Sequence, residues 1–374
     1  MILLFLASAG FVLYAYLLFP LWLHLRARNL PELEAEEPVK WPTVSIVIAA
    51  HNEAANLPAK FKSLEELDYP PENIQWVVVS DGSSDDTVAV VEAAFAGHDN
   101  RVLLHYDTPK GKCGALNAGV ERATGEMILF MDARQPVSSN AARTLIPFLM
   151  DPAIGAATGE LILSEDSSLE AANFGLYWRY EKWIRDNESK LFSTTGVTGA
   201  LYAIRRADFV PNPEGTLLDD FDTPVGLLKS GKRTVFVPGA YAFDAASDDI
   251  KQEFRRKVRN LGGNWQSYMR HPWLFNPLVN PVWLQFLSHK FARLLVPWAL
   301  ILAFVAAALG DGWLLTTAFW VQVVFYGLAV CSYLDLPIAR HKALNLPKVF
   351  VQMNAAAFMA TLKYFGSSKA ISWR

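Results

Sequence analysis

Apolar and polar residues follow two different patterns along this chain. From Ile2 to Leu25 the sequence is almost continuously apolar, and His24, Arg26 and Arg28 close the run. Phe291 to Leu309 and Trp313 to Leu334 have the same character and are separated by Gly310-Asp311-Gly312. Each run is long enough to cross a hydrocarbon core of about 30 Å. A signal peptide is the competing reading of the first run. It needs a basic residue before the apolar stretch, a shorter core and a small-residue cleavage site after that core, and the sequence offers none of these. With the arginines following the run, the positive-inside rule puts the chain from Arg26 onward in the cytoplasm. The second and third runs read as a hairpin that leaves and returns, because Arg340, His341, Lys342 and Lys348 follow it. Val349 to Phe365 contains Gln352, Asn354 and Lys363, so spanning the membrane and lying in its interface both stay open. The basic tail from Lys369 to Arg374 would end outside if that segment spans.

In the middle of the chain the apolar runs are short and alternate in period. Val44 to Ala49, Gln75 to Val79, Val102 to Tyr106 and Met127 to Met131 read as strands, each β-branched or apolar and bounded by turn residues. Helical spacing falls between them, up to Leu67, over Val88 to Phe95 and over Gly114 to Ala123. Strand and helix in alternation predict an α/β fold, a mostly parallel sheet with helices on both faces. Ligands in such folds bind beyond the carboxyl ends of the strands. Glu53, Asp81 and Asp132 each follow a predicted strand, so one cleft is expected to gather all three.

Composition supports this division. The hydrophobic fraction of 52% is high because the two ends raise it, and the net charge of −3 gives no reason to expect a nucleic-acid partner. Cys113 and Cys331 are the only cysteines and lie far apart, which excludes a disulfide framework or a cysteine metal site. The expected organisation is an anchor over 1–28, a catalytic domain over 42–250, basic and amphipathic interface helices over 251–290, and a membrane region over 291–374. Trp178 to Trp183 reads as a helix packed under the cleft, and Trp273, Phe275, Trp283 and Phe286 as an interfacial aromatic belt.

Taken singly, the polar motifs have bland readings. Asp81 suits a turn, Asp132 a helix cap, and Lys110-Gly111-Lys112 a solvated loop. Their order and spacing together resemble the family 2 inverting glycosyltransferases. The resemblance runs through Pro42 to Glu53, Ser80 to Asp85, Gly111 to Gly119, Phe130 to Ala133, Thr198-Gly199-Ala200, Leu218-Asp219-Asp220 and Arg256-Lys257-Val258-Arg259. It implies the GT-A fold, with transmembrane helices at both ends here, and similarity to the cellulose and hyaluronan synthases. It further implies a nucleotide-sugar donor, of which UDP is the expected nucleotide, bound around Ala49, Asn52, Glu53, Asp81, Lys112, Asp132 and Arg134. Arg256 and Arg259 are implied at the diphosphate, and Asp220 as the base that takes the acceptor's proton. Thr198, Gly199, Ala200 and Asp219 are implied at the acceptor, with Trp265 as a stand-in for the family's acceptor-stacking tryptophan, whose place Asn260 takes.

In the family a divalent ion meets the leaving diphosphate, held by an Asp-x-Asp pair. Here Asp132 is followed by Ala133 and then Arg134, so the second acid is missing. Three readings stay open. Asp132 with water and phosphate oxygens holds Mg²⁺ or Mn²⁺; Arg134 meets the phosphate itself; or metal and activity are both lost. For the whole chain, the resemblance implies transfer of a sugar to a lipid-linked or glycan acceptor at the cell membrane, from the cytoplasmic side. A processive polysaccharide synthase is the first alternative, and a non-catalytic nucleotide-sugar or glycan-binding partner of a synthase is the second. An oligomer or a synthase complex is compatible with each.

Overall fold

A computed structural model describes residues 1–163, 169–244, 250–334 and 345–366. Arg340, His341, Lys342 and the tail from Lys369, all of which bear on topology, lie outside the described residues. In chain order the elements are α1 (Ile2–Ala27), β1 (Val44–Ala50), α2 (Leu57–Glu65), β2 (Ile74–Asp81), α3 (Thr87–Phe95), β3 (Arg101–Tyr106), α4 (Lys112–Arg122), β4 (Met127–Asp132) and α5 (Ala141–Leu145). There follow β5 (Ile154–Leu163), α6 (Leu169–Leu191), β6 (Leu201–Arg205), α7 (Asp219–Lys229), β7 (Arg233–Asp244), α8 (Ile250–Arg270), α9 (Trp283–Leu309), α10 (Trp313–Tyr333) and α11 (Asn345–Gly366). The chain divides into a sheet unit, Leu30–Ser164 with Glu188–Ala245, and a helical unit, Met1–Asn29, Glu165–Asn187 and Ala246–Ser372.

The sheet unit contains seven strands in the order β3-β2-β1-β4-β6-β5-β7. β3, β2, β1 and β4 run parallel, β6 is antiparallel to β4 and β5, and β5 and β7 are parallel. Both faces are buried because successive side chains alternate across a strand. Ile46, Ile48, Trp76, Val78, Leu129 and Met131 pack on one side, and Val47, Val77, Val79, Ile128 and Phe130 on the other. Helices cover both, as the strand and helix alternation predicts. Register aligns the strand ends: Ala49 pairs with Val79 on one side and Asp132 on the other. The loops after β1, β2 and β4 therefore leave the sheet at the same edge.

Among the described residues, the helical unit holds three helices long and apolar enough to cross a membrane: α1, α9 and α10. α11 is not among them; it packs Ala356 and Ala360 against Val258 of α8, with Phe254 and Leu261 beside them. The aromatic segment of α6 is helical as expected and belongs to this unit. Tyr180 donates its hydroxyl to the Tyr16 carbonyl at 2.6 Å, and Trp183 stands 5.2 Å from the ring of His24. Glu181 pairs with Arg293 and, at 3.1 Å, with His289. The expected interfacial belt is corrected in part. α9 begins at Trp283, and Phe286 is wholly buried against Tyr268, Phe275 and Phe291.

Between α4 and β4 the chain passes so close to β1 that only glycine fits. A Cβ on Gly125 would lie 2.5 Å from the Ser45 nitrogen and 2.7 Å from the Val44 carbonyl carbon, both backbone atoms of a central strand. Neither can give way without disturbing the sheet. Gly125→Ala is expected to destabilise the protein by about 2–3 kcal/mol, read as a lowered unfolding midpoint in thermal or denaturant titration.

Candidate active site

The site is assembled from loops at the common strand edge of the sheet unit. After β1 the chain turns at Asn52, the only described non-glycine residue with positive φ, at 57°. Asparagine tolerates that conformation because its short amide can bond locally. Here its Oδ1 accepts the Ser84 amide proton at 2.8 Å, and its own amide donates to Ser83 Oγ at 3.1 Å. Glu53 donates its amide proton to Thr87 Oγ1 at 2.8 Å and accepts from Asn56 Nδ2 at 2.6 Å. The loops after β1 and β2 are thereby fastened to each other, with the Glu53 side chain partly exposed.

Asp81 is wholly buried. Its two carboxylate oxygens accept the backbone amide protons of Lys110 and Gly111, at 2.7 and 2.8 Å. A nucleotide contact is expected of it; in the structure its bonds fix the loop before α4. Gly111 then takes φ 84°, and α4 starts at Lys112.

The Lys112 ammonium lies 2.9 Å from Asp132 Oδ1 at the end of β4 and 3.3 Å from Asp219 Oδ2 at the start of α7. Burial pushes the Lys112 ammonium toward neutrality, but Asp132, Asp219 and Asp220 outweigh it and hold its pKa well above the usual lysine range. Asp219, nearly buried, is raised by that burial; Lys112 opposes the rise and the charge of Asp132 adds to it. Asp219, Asp220 and Asp222 fill the first turn of α7, where negative charge suits the helix dipole. Asp220 is the more exposed of the first two. A Cβ on Gly199 would stand 3.5 Å from Asp220 Cβ and 3.5 Å from the Lys112 ammonium, so Gly199 borders both groups and leaves space over them.

The remaining expected residues divide. Ala49 lies in register with Asp132 at the strand edge. Thr198 and Ala200 are buried, and Thr198 is spent on Gly159 and Thr158, so of that motif only Gly199 opens on the site. Arg134 turns to Asp244 at 2.6 Å. Arg256 and Arg259 belong to α8 of the helical unit, where Arg259 touches Asn260 at 3.3 Å. Trp265 is buried in the same unit, its indole donating to Thr361 at 3.0 Å and its ring packed by Tyr268, Phe291 and Phe365. That packing corrects the expectation of an open stacking face for a sugar. Asp244, the partner of Arg134, was not anticipated, since it lies 110 residues downstream.

Among the described residues, no group of three or more His, Cys, Asp or Glu is placed to hold a metal ion. Asp132 is partly exposed and supplies hard oxygens. That donor set fits a divalent ion shared with phosphate oxygens and water, the usual manner of Mg²⁺, but not one caged by protein alone.

Residues 45–210 match the model of glycosyl transferase family 2. A Bacillus subtilis protein named probable glycosyltransferase YdaM is 27% identical over 253 residues, 63% of this chain and 58% of its own length. An N-acetylglucosaminyltransferase of Rhizobium sp. (strain N33) is 26% identical over 239 residues, 59% of this chain and 52% of its own. A poly-β-1,6-N-acetyl-D-glucosamine synthase of Staphylococcus epidermidis is 29% identical over 127 residues, 34% of this chain and 30% of its own. The chain thus spans less than two thirds of each of these relatives. Among solved structures, the mannosyltransferase PcManGT of Pyrobaculum calidifontis, in complex with GDP-Man and Mn²⁺, superposes with a TM-score of 0.75 at 24% identity, covering 97% of both chains. It shares the GT-A fold found here. With the strand-edge loops and the lysine in the matching order, residues 45–210 of the chain form a glycosyl transferase family 2 domain.

Proposed function

We propose that this protein transfers a sugar, with inversion, from a nucleotide-diphosphate sugar to a lipid-linked or glycan acceptor held at the membrane. The observation that carries the proposal is the meeting of Lys112, Asp132 and Asp219 within 3.3 Å, with Asp220 adjoining. Departure of a nucleoside diphosphate builds negative charge, and fixed cations aimed at that charge lower the barrier. Lys112 is such a cation, delivered by the loop that Asp81 holds. Asp132 would share a divalent ion with the diphosphate, and that ion would neutralise the leaving group's charge. Asp220 stands beside the open space above Gly199 and acts as the general base toward the acceptor hydroxyl. Arg256 and Arg259 carry the diphosphate role the family motif gives them.

Two donors are suggested by the similar proteins. The Rhizobium relative is named for N-acetylglucosamine, and the solved Pyrobaculum neighbour holds GDP-Man. A donor screen therefore includes UDP-N-acetylglucosamine and GDP-mannose, with release of nucleoside diphosphate as the readout. On this reading α1, α9 and α10 anchor the chain in the membrane, and the arginines after α1 support a cytoplasmic side for the sheet unit. Transfer of one sugar is favoured over processive synthesis by the small number of candidate spans, three among the described residues, and by Asn260 in the place of the motif tryptophan. A ladder of long products from one acceptor would reverse that choice.

Asp220→Asn is expected to abolish transfer while nucleotide affinity stays within a few-fold of wild type; near-normal turnover would refute the base. Lys112→Met should lower turnover by roughly 100-fold or more, measured as initial rates at saturating donor. Excess chelator should remove activity, and added Mg²⁺ or Mn²⁺ should restore it; undiminished transfer in chelator would exclude the shared ion.

A further inference from the structure

Along α2, Leu57, Phe61 and Leu64 form the buried stripe expected of an amphipathic helix. Lys60 falls on that stripe and is wholly buried. Its ammonium donates to the Gln135 carbonyl at 2.8 Å, its one hydrogen-bond acceptor among the described residues. One turn on, Ser63 Oγ donates to the Lys60 carbonyl at 2.7 Å and accepts the Val137 amide proton at 3.2 Å. The segment leaving β4 after Asp132 is thus fastened at four points: Arg134 by Asp244, the Gln135 carbonyl by Lys60, the Pro136 carbonyl by the Phe243 amide at 2.8 Å, and the Val137 amide by Ser63.

A buried ammonium with a single neutral acceptor is expensive, and a well-packed apolar side chain is often at least as stable in such a place. Stability of the core therefore gives no account of Lys60, whereas the geometry of the loop does. We propose that Lys60 is a positioning residue for sugar transfer: from beneath the strand edge it fixes the Asp132–Val137 loop, and through it the direction in which Asp132 meets Lys112 and the donor diphosphate. The proposal rests on the function argued above. Burial pushes the Lys60 ammonium down to about 7, and the charge of Asp132 opposes the fall, so the two groups sense each other electrostatically. A misplacement of about 1 Å at reacting groups can cost a hundredfold in rate, which sets the scale of the effect.

The test compares wild type, Lys60→Met, Lys60→Arg and Ser63→Ala in the full chain reconstituted in lipid. Turnover, donor KM and unfolding midpoint are measured on the same preparations. Lys60→Met keeps the apolar stem and removes the ammonium. Turnover is expected to fall about 10- to 100-fold, with donor KM within threefold and an unfolding midpoint equal to wild type or higher. Lys60→Arg should recover part of that loss. Ser63→Ala removes a second fastening without touching the buried charge, and should lower turnover about three- to tenfold. This variant reads the clamp even if Lys60→Met fails to fold. Wild-type turnover in both Lys60→Met and Ser63→Ala overturns the proposal, and so does a rate loss matched by a lowered midpoint and not relieved by arginine. Absence of nucleoside diphosphate release in wild type as well would instead overturn the function on which it rests.

Discussion

A carboxylate with no exposure to solvent, that of Asp81, determines where Lys112 stands. By accepting the amide protons of Lys110 and Gly111 it halts the chain after β3, and α4 begins at the next residue. Charged acceptors make stronger hydrogen bonds than neutral ones, and here two of them converge on one loop. The parallel register of β1, β2 and β4 places Asp81 and Asp132 at the same edge. Without that grip the lysine would be an ordinary solvated side chain. With it, the ammonium reaches two carboxylates from two further segments.

The fold was legible in the sequence where period and punctuation agreed. β1 to β4 and α2 to α4 lie where alternation and turn residues put them, because each strand is apolar on both faces and each loop begins with a polar turn. Contacts that close over long separations were not legible. The partner of Arg134 is Asp244, and nothing near either residue announces the other. Trp178 to Trp183 has helical spacing, but spacing alone does not say which apolar surface the helix meets, and it packs with α1 and α9. Trp265 presented the same ambiguity: an aromatic residue near a motif reads equally as a stacking platform or as core.

Among the site residues, the sequence identified groups better than tasks. Lys112, Asp132, Asp219 and Gly199 are brought together as the motifs imply. Asp81 and Thr198 bond backbone groups from inside the unit, and Ala200 is buried. Residue type cannot distinguish a ligand from the support of a ligand, because both require the same oxygen or the same small side chain. Lys60 did carry a signal, a cation on a helix stripe otherwise made of leucine and phenylalanine.

The pairing of Lys112 with Asp132 and Asp219 bears on selectivity. An anion that takes the ammonium must compete with two carboxylates already in place. A small monovalent ion, chloride for example, brings too little charge and no second contact to win that exchange. A diphosphate brings several oxygens and more than one negative charge. The ammonium is thus already matched by two carboxylates, so an anion that enters must displace one of them or bring a cation of its own.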